Sequence, residues 1–257
     1  MTTVEIAGSR LPNIPSGRMP VVETFVTVQG EGVNLGIPSI FVRLGICNLK
    51  CQWCDTPYTW DFGRVSSRWR IYGPPEPQSW LYLTPDELGQ HIRNTIGRRN
   101  VHHIVFTGGE PMIWQTLINK VVDLLPEFSV EVESNATIRP LPETIRHIQY
   151  FDLSPKLDNS GNPSKLCVNP TAIREYVGIP TAYFKFVIEG MNDIIELEEK
   201  YVRPFNIPPS RVLLMPEGTN NEEIIGRSAW MVGICKEKGY RLTTRLHILM
   251  YGDMRGV

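Results

Sequence analysis

Apolar residues along this chain recur in two ways. Short β-rich runs stand at 21–28 (VVETFVTV, ended by glycines), 39–44 (SIFVRL), 102–106 (HHIVF), 129–133 (SVEVE), 148–153 (IQYFDL), 183–189 (YFKFVIE) and 211–215 (RVLLM), with the length and β-branched content of strands. Between several of them apolar positions fall three or four apart. Thr84, Pro85 and Glu87 open a helix with Leu88, Ile92 and Ile96 on one face, and further helices are expected over roughly 112–125, 192–202 and 221–238. RLTTRLHIL at 241–249 is expected to close the chain as a strand carrying His247. Strands separated by helices of this length need crossover connections, hence an α/β fold with a mostly parallel sheet and an active site at the carboxyl ends of its strands. Residues 1–20, with Pro12, Pro15 and Pro20 and no period, read as an irregular arm, and 21–257 as a single domain. A loop insertion is expected near 63–80, where Gly73, Pro74, Pro75 and Pro77 forbid a continuous helix. No internal repeat or low-complexity tract is present.

Composition narrows the function classes. With 42% hydrophobic and 21% charged residues, the 257-residue chain is too apolar for a disordered protein, and it lacks the sustained apolar runs of a membrane protein. A formal net charge of −1 supplies no basic field for nucleic acid or a membrane surface. The N-terminus has neither the basic start nor the apolar stretch of a signal peptide, so a cytoplasmic location with reduced thiols is expected. Three of the five cysteines, Cys47, Cys51 and Cys54, crowd the stretch after the second strand, which fits a metal site better than a disulfide framework.

The spacing is C-x3-C-x2-C. A structural zinc needs a fourth Cys or His at finger-like spacing, and the next residues, DTPYTWDF, offer none before His91, so zinc would need a distant ligand. In a 4Fe-4S cluster three cysteines hold three irons and leave the fourth open to an exogenous ligand, which is a reactive arrangement. Reduced core thiols are the bland alternative. Downstream, Thr107-Gly108-Gly109-Glu110-Pro111 follows the HHIVF strand. Its two glycines permit close approach of the backbone to a ligand, and a carboxylate at a strand end can accept from an ammonium. Taken alone, it is equally a glycine turn before a helix-starting proline.

The cysteine triad, with Trp53 as the aromatic before Cys54, resembles the cluster motif of the radical S-adenosylmethionine superfamily, and GGEP resembles that superfamily's cofactor turn. A denser resemblance, to the 7-carboxy-7-deazaguanine synthase family, is carried by Glu23-Thr24-Phe25, Gln29-Gly30-Glu31-Gly32, Pro38, Phe41-Val42-Arg43 and CDTPYTW at 54–60. It resumes at TGGEP, Glu133-Ser134-Asn135, Ser154-Pro155-Lys156 and Leu246-His247, so that most of 21–257 is covered. The resemblance implies an incomplete β/α barrel of the radical SAM type. It also implies a 4Fe-4S cluster, S-adenosylmethionine and Mg2+, and a 5'-deoxyadenosyl radical that takes a hydrogen atom from 6-carboxy-5,6,7,8-tetrahydropterin. Ring contraction and loss of ammonia then give 7-carboxy-7-deazaguanine. A homodimer, and an electron donor such as a flavodoxin or ferredoxin, are implied as partners. Two alternatives remain open: another radical SAM enzyme, such as a glycyl-radical activase, which would not need QGEG, Arg43 or CDTPYTW, and a zinc-stabilised interaction module without turnover.

The same resemblance gives roles to particular residues. Cys47, Cys51 and Cys54 hold the cluster, Trp53 lies beside the adenine, and Gly108, Gly109 and Glu110 meet the methionine moiety. Glu133, Ser134, Asn135, Ser154, Pro155 and Lys156 line the ribose and methionine side. Thr56 is a magnesium ligand, a single hydroxyl suiting a hard ion that keeps waters. Arg43 offers a planar fork to the substrate carboxylate, and Gln29, Gly30, Glu31, Thr107 and His247 meet the pterin. Each has a bland reading as well: surface ion pair for Arg43, loop packing for Trp53, turn or capping residue for Thr56 and the strand-end polar groups. Met215-Pro216 departs from the polar residue expected before that proline, so a side-chain contact to the cofactor gives way to backbone contact. Cys167 and Cys235 lie outside the triad, Cys235 reading as a core thiol on a helix.

Overall fold

The computed structural model describes residues 13–61 and 80–256. Most of the expected arm and nearly all of the expected insertion, residues 1–12 and 62–79, lie outside the described residues. Nine strands form one sheet in the order β3-β1-β2-β4-β5-β6-β7-β8-β9. They are β1 (Met19–Val28), β2 (Pro38–Leu44), β3 (Leu81–Leu83), β4 (His103–Gly108), β5 (Ser129–Ser134), β6 (Tyr150–Leu153), β7 (Ala182–Ile188), β8 (Val212–Pro216) and β9 (Arg241–Leu242). β1 is antiparallel to β2 and to β3. From β2 to β9 every pairing is parallel, and β3 and β9 form the two open edges of the incomplete barrel.

The longer helices are α1 (Pro85–Ile96), α2 (Gln115–Asp123), α3 (Pro142–His147), α4 (Pro170–Val177), α5 (Met191–Leu197), α6 (Asn221–Lys238) and α7 (Leu246–Tyr251), of which α1, α2, α5 and α6 stand where the sequence placed helices. α1 starts where its sequence dictates. The Thr84 hydroxyl accepts from Glu87 N, the Glu87 carboxylate accepts from Thr84 N, and Pro85 occupies the first turn. Leu88, Ile92 and Ile96 are buried. α2 is preceded by a 3-10 turn at Pro111–Trp114, and α5 continues into a π-helical turn at Glu198–Val202.

Strand alternation sorts the molecule into two environments. Ile40, Val42, Ile104, Phe106, Val130, Val132, Phe151, Leu153, Phe184, Phe186, Val212 and Leu214 join one apolar cluster with the helices. Their neighbours on the other face of the pleat are Arg43, Thr107, Glu131, Glu133, Asp152 and Lys185, most of them buried. The concave face of the sheet is therefore charged, and it can be so only because its charges are paired.

Three expectations change. β1 begins at Met19, which is fully buried, so the arm ends before residue 20. α3 and α4 were not foreseen; each is short and opens with a proline, Pro142 and Pro170. The closing strand is only Arg241–Leu242, and His247 stands on α7. Past Leu242 the chain leaves the sheet: the Arg245 side chain turns inward to Glu31 and Asp55, and Leu249 N bonds to Arg245 O in a helical turn.

Candidate active site

The cysteine loop leaves the carboxyl end of β2 and is stitched to the end of β4. Gly109 N donates to Leu44 O and Glu110 N to Ile46 O, both at 2.8 Å. A Cβ on Gly109 would lie 2.0 Å from Ile46 O, and one on Gly108, at φ +117°, 2.2 Å from Leu44 O. The glycine pair is thus required by backbone packed against backbone. Cys47, Cys51 and Cys54 all face one cleft. Each sulfur receives one N–H: from Leu49 N (3.4 Å), Asn162 Nδ2 (3.2 Å) and Trp60 Nε1 (3.3 Å), respectively. Burial pushes the Cys47 and Cys51 thiols up, Cys51 to about 11, so thiolate ligation at neutral pH needs the positive charge of a metal centre. Among the described residues, the acidic and thiol ligand atoms lying within 4.8 Å of one another are those of Glu131, Glu133 and Asp152, not the cysteines. Three thiols on one cleft, each with a sulfur-directed donor, fit a cluster that keeps one iron open.

The ends of β4, β5 and β6 build the wall beside this loop. Gly108, Gly109, Ser134, Asn135, Ser154, Lys156, Trp53, Thr56 and Met215 line the cleft. Lys156 Nζ lies 5.0 Å from the Trp53 ring centroid and donates to Ser154 Oγ (2.8 Å). Asn135 Nδ2 reaches back to Asn48 on the cysteine loop (2.8 Å). The Thr56 hydroxyl sits on the wall near Gly108 O (3.4 Å), a lone oxygen donor of the kind Mg2+ accepts alongside water and substrate oxygens. Glu110 is the residue expected to meet a methionine ammonium. Glu110 is fully buried and off the cleft lining, its oxygens accepting from Met112 N, Ser134 Oγ and Asn135 N. It braces the turn that presents Ser134 and Asn135. Pro155 and Pro216 are likewise off the lining and shape the backbone beside Ser154 and Met215.

Further back along the same strands, on the Gln29–Glu31 turn and at Arg245, the lining carries the charges. Gln29 Nε2 donates to Glu131 Oε1 (2.5 Å) and Glu133 Oε1 (3.1 Å), Asn34 Nδ2 to Glu131 Oε2 (2.5 Å), and Thr107 Oγ1 to Glu133 Oε2 (2.6 Å). Lys185 Nζ bridges Asp152 Oδ2 (2.7 Å) and Glu31 Oε2 (2.8 Å), making its ammonium the cation of this acidic cluster. Arg245 joins Glu31 (Nε, 3.3 Å) to Asp55 (Nη2, 2.5 Å). Burial acts to raise Glu31, but Lys185, Arg245 and His247 overcome it and hold the carboxyl well below its usual range. Asp152 behaves oppositely. Burial, with Glu131 and Glu133 nearby, pushes it up to about 7 against the pull of Lys185, and among the described residues its Oδ1 has no hydrogen-bond partner. His247, 4.0 Å from Glu31, is lowered by burial and so stays neutral near pH 7. A Cβ on Gly30 would lie 2.6 Å from His247 Nδ1, which ties the QGEG turn to α7. Arg43 donates from Nε to Glu23 (2.6 Å) at the cleft.

Sequence reasoning missed Asp55, Tyr58, Asp152, Lys185, Arg245 and Arg255, all of which line the cleft. The usable signal lay in the strands: single charges at every second position of SVEVES, YFDL and YFKFVI have no place in a doubly buried strand unless that face lines a site. Of the remaining cysteines, Cys167 is buried and Cys235 is half-buried against the core.

Three clefted thiols after β2, a glycine turn after β4 and an open parallel barrel define a class. The Radical SAM superfamily model matches residues 42–198, and the chain belongs to that superfamily. It is 37% identical to 7-carboxy-7-deazaguanine synthase of Pyrobaculum aerophilum, over 93% of this chain and 97% of the relative. It is 29% identical to the Escherichia coli K12 enzyme of the same name, over 89% and 96%. The fold is similar to the crystal structure of QueE from Escherichia coli, with a TM-score of 0.66 at 26% identity, covering 90% of this chain and 95% of that one. Within the superfamily, the chain is a member of the 7-carboxy-7-deazaguanine synthase family. No helix among the described residues is long and apolar enough to cross a membrane.

Proposed function

We propose that this protein converts 6-carboxy-5,6,7,8-tetrahydropterin to 7-carboxy-7-deazaguanine, with ring contraction and loss of ammonia, in 7-deazapurine biosynthesis of the queuosine type. The observation that carries the reading is one cleft in which a thiol-rich loop for the cluster adjoins a wall of paired charges and amides for a polar bicyclic ring. When bound, the cluster and S-adenosylmethionine supply the 5'-deoxyadenosyl radical.

The chain's residues do the rest. Cys47, Cys51 and Cys54 hold the cluster, while Trp53, Gly108, Gly109, Ser134, Asn135, Ser154, Lys156 and the Met215 backbone embrace the cofactor. Gln29, Gly30, Glu31, Thr107 and His247 read the pterin edge, which needs both donors and acceptors, and Glu133, expected on the ribose and methionine side, joins them through its hydrogen bonds to Gln29 and Thr107. Arg43 and a Thr56-bound Mg2+ orient the carboxylate. Ionised Glu31 accepts and neutral His247 can do either, so the wall offers a fixed pattern to the ring. A glycyl-radical activase or a zinc module would have no use for that wall. The remaining expectations follow from family resemblance: residues 21–257 as one catalytic domain, a homodimer, a cytoplasmic location and reduction by a flavodoxin- or ferredoxin-type donor.

The test is iron and sulfide analysis of anaerobically purified protein, together with reductive cleavage of S-adenosylmethionine measured with and without the pterin. Iron and sulfide in cluster ratio, with pterin-stimulated formation of 5'-deoxyadenosine, is the expected result. Zinc without sulfide, or cleavage indifferent to the pterin, would overturn it.

A further inference from the structure

The C-terminal residues 253–256 run along the cleft and form part of its lining. Arg255 there converges with Arg43 on a single carboxylate. Arg43 Nε donates to Glu23 Oε1 (2.6 Å), Arg255 Nε donates to Glu23 Oε2 (2.8 Å), and the Tyr58 hydroxyl also donates to Oε1 (2.9 Å). The Arg255 guanidinium lies over Tyr58, its Cζ 4.0 Å from the ring centroid. Both guanidiniums thus commit Nε to Glu23, and among the described residues no acceptor meets the terminal nitrogens of either. Those terminal nitrogens form the fork that grips a carboxylate in two parallel hydrogen bonds. Glu23 carries one negative charge between two permanent cations, so the trio keeps a positive excess. Thr56, two residues before Tyr58, lines the same cleft.

We propose that Arg255 is a specificity-determining residue: with Arg43 it forms a two-guanidinium clamp for the carboxylate of a pterin-6-carboxylate, and Glu23 holds the two forks in place. The pterin part of this assignment rests on the function proposed above. Arg43 is the deep jaw, its side chain 15% exposed, and Arg255 is the outer one at 37%.

The experiment is an anaerobic fluorescence titration of the full-length, cluster-loaded protein with Mg2+, using 6-carboxypterin and unsubstituted pterin as probes. The parent should prefer the carboxylated ring. Arg255→Ala should weaken 6-carboxypterin about 10- to 100-fold, as expected for a hydrogen bond to a charged group, and leave pterin unchanged. Arg255→Lys, which keeps the charge without the fork, should recover part of the loss. An Arg255→Ala protein that keeps the parent's preference, or a parent with none, overturns the clamp. A parent that shows the clamp and yet makes no 7-carboxy-7-deazaguanine leaves the carboxylate site standing and removes the reaction.

Discussion

Lys185 is fixed by what surrounds it. Removing a buried ammonium between Asp152 and Glu31 leaves Asp152 without its cation and Glu31 with Arg245 alone, and breaking a buried pair from one side typically costs about 3–5 kcal/mol. Lys185→Met should lower the unfolding free energy by that order in an anaerobic denaturant titration; a loss below about 1 kcal/mol would mean the pair is not buried as described. Glu23 gives a pH prediction. Burial acts to raise it, while Arg43 and Arg255 hold it below its ordinary 4.5. Its contribution to stability is therefore full above pH 4.5 and is lost as the pH falls from there toward the lower folded value. Glu23→Gln should flatten that acid limb, and an unchanged slope between pH 5 and 3 would remove Glu23 from it. These residues were only partly legible beforehand. Cys47, Cys51 and Cys54 announced themselves by spacing, whereas Lys185 and Asp152 were hidden because a lone charge in a strand looks like one on a solvated face until the register turns it inward.

Elements make sharper predictions where one contact sets a geometry. A methyl group on Gly109 would meet the Ile46 carbonyl, which is backbone and cannot swing aside. Gly109→Ala should thus displace the start of the cysteine loop and reduce iron loading, read by iron content and the visible absorbance of the cluster; full loading would show that the loop and β4 are not in register. On α1, Thr84→Ala removes the hydroxyl that accepts from Glu87 N and should cost about 1 kcal/mol without touching catalysis. α1 was readable because its cap, its proline and its apolar stripe agree. α3 and α4 were too short for a period to emerge, and the 241–249 run leaves the sheet past Leu242, where Arg245 turns inward in a tertiary contact that no local pattern carries.

At the scale of the whole molecule, the open sheet separates an apolar face, which makes the fold, from a charged concave face, which makes the site. The cluster loop, the C-terminal residues and the ring-reading groups all line one cleft, so cofactor and substrate share one space. Cys51→Ser should abolish cleavage of S-adenosylmethionine while the fold persists, because Cys51 sits half-buried on the cleft rim and outside the apolar core. Arg43→Ala should retain the cluster and raise the KM for the pterin about tenfold or more, matching the loss of a charge-assisted bond. The central claim is most directly tested by incubating reconstituted protein anaerobically with reductant, S-adenosylmethionine, Mg2+ and 6-carboxy-5,6,7,8-tetrahydropterin and following products by mass spectrometry. Formation of 7-carboxy-7-deazaguanine with release of ammonia is the predicted result; 5'-deoxyadenosine accumulating while the pterin remains intact would contradict it.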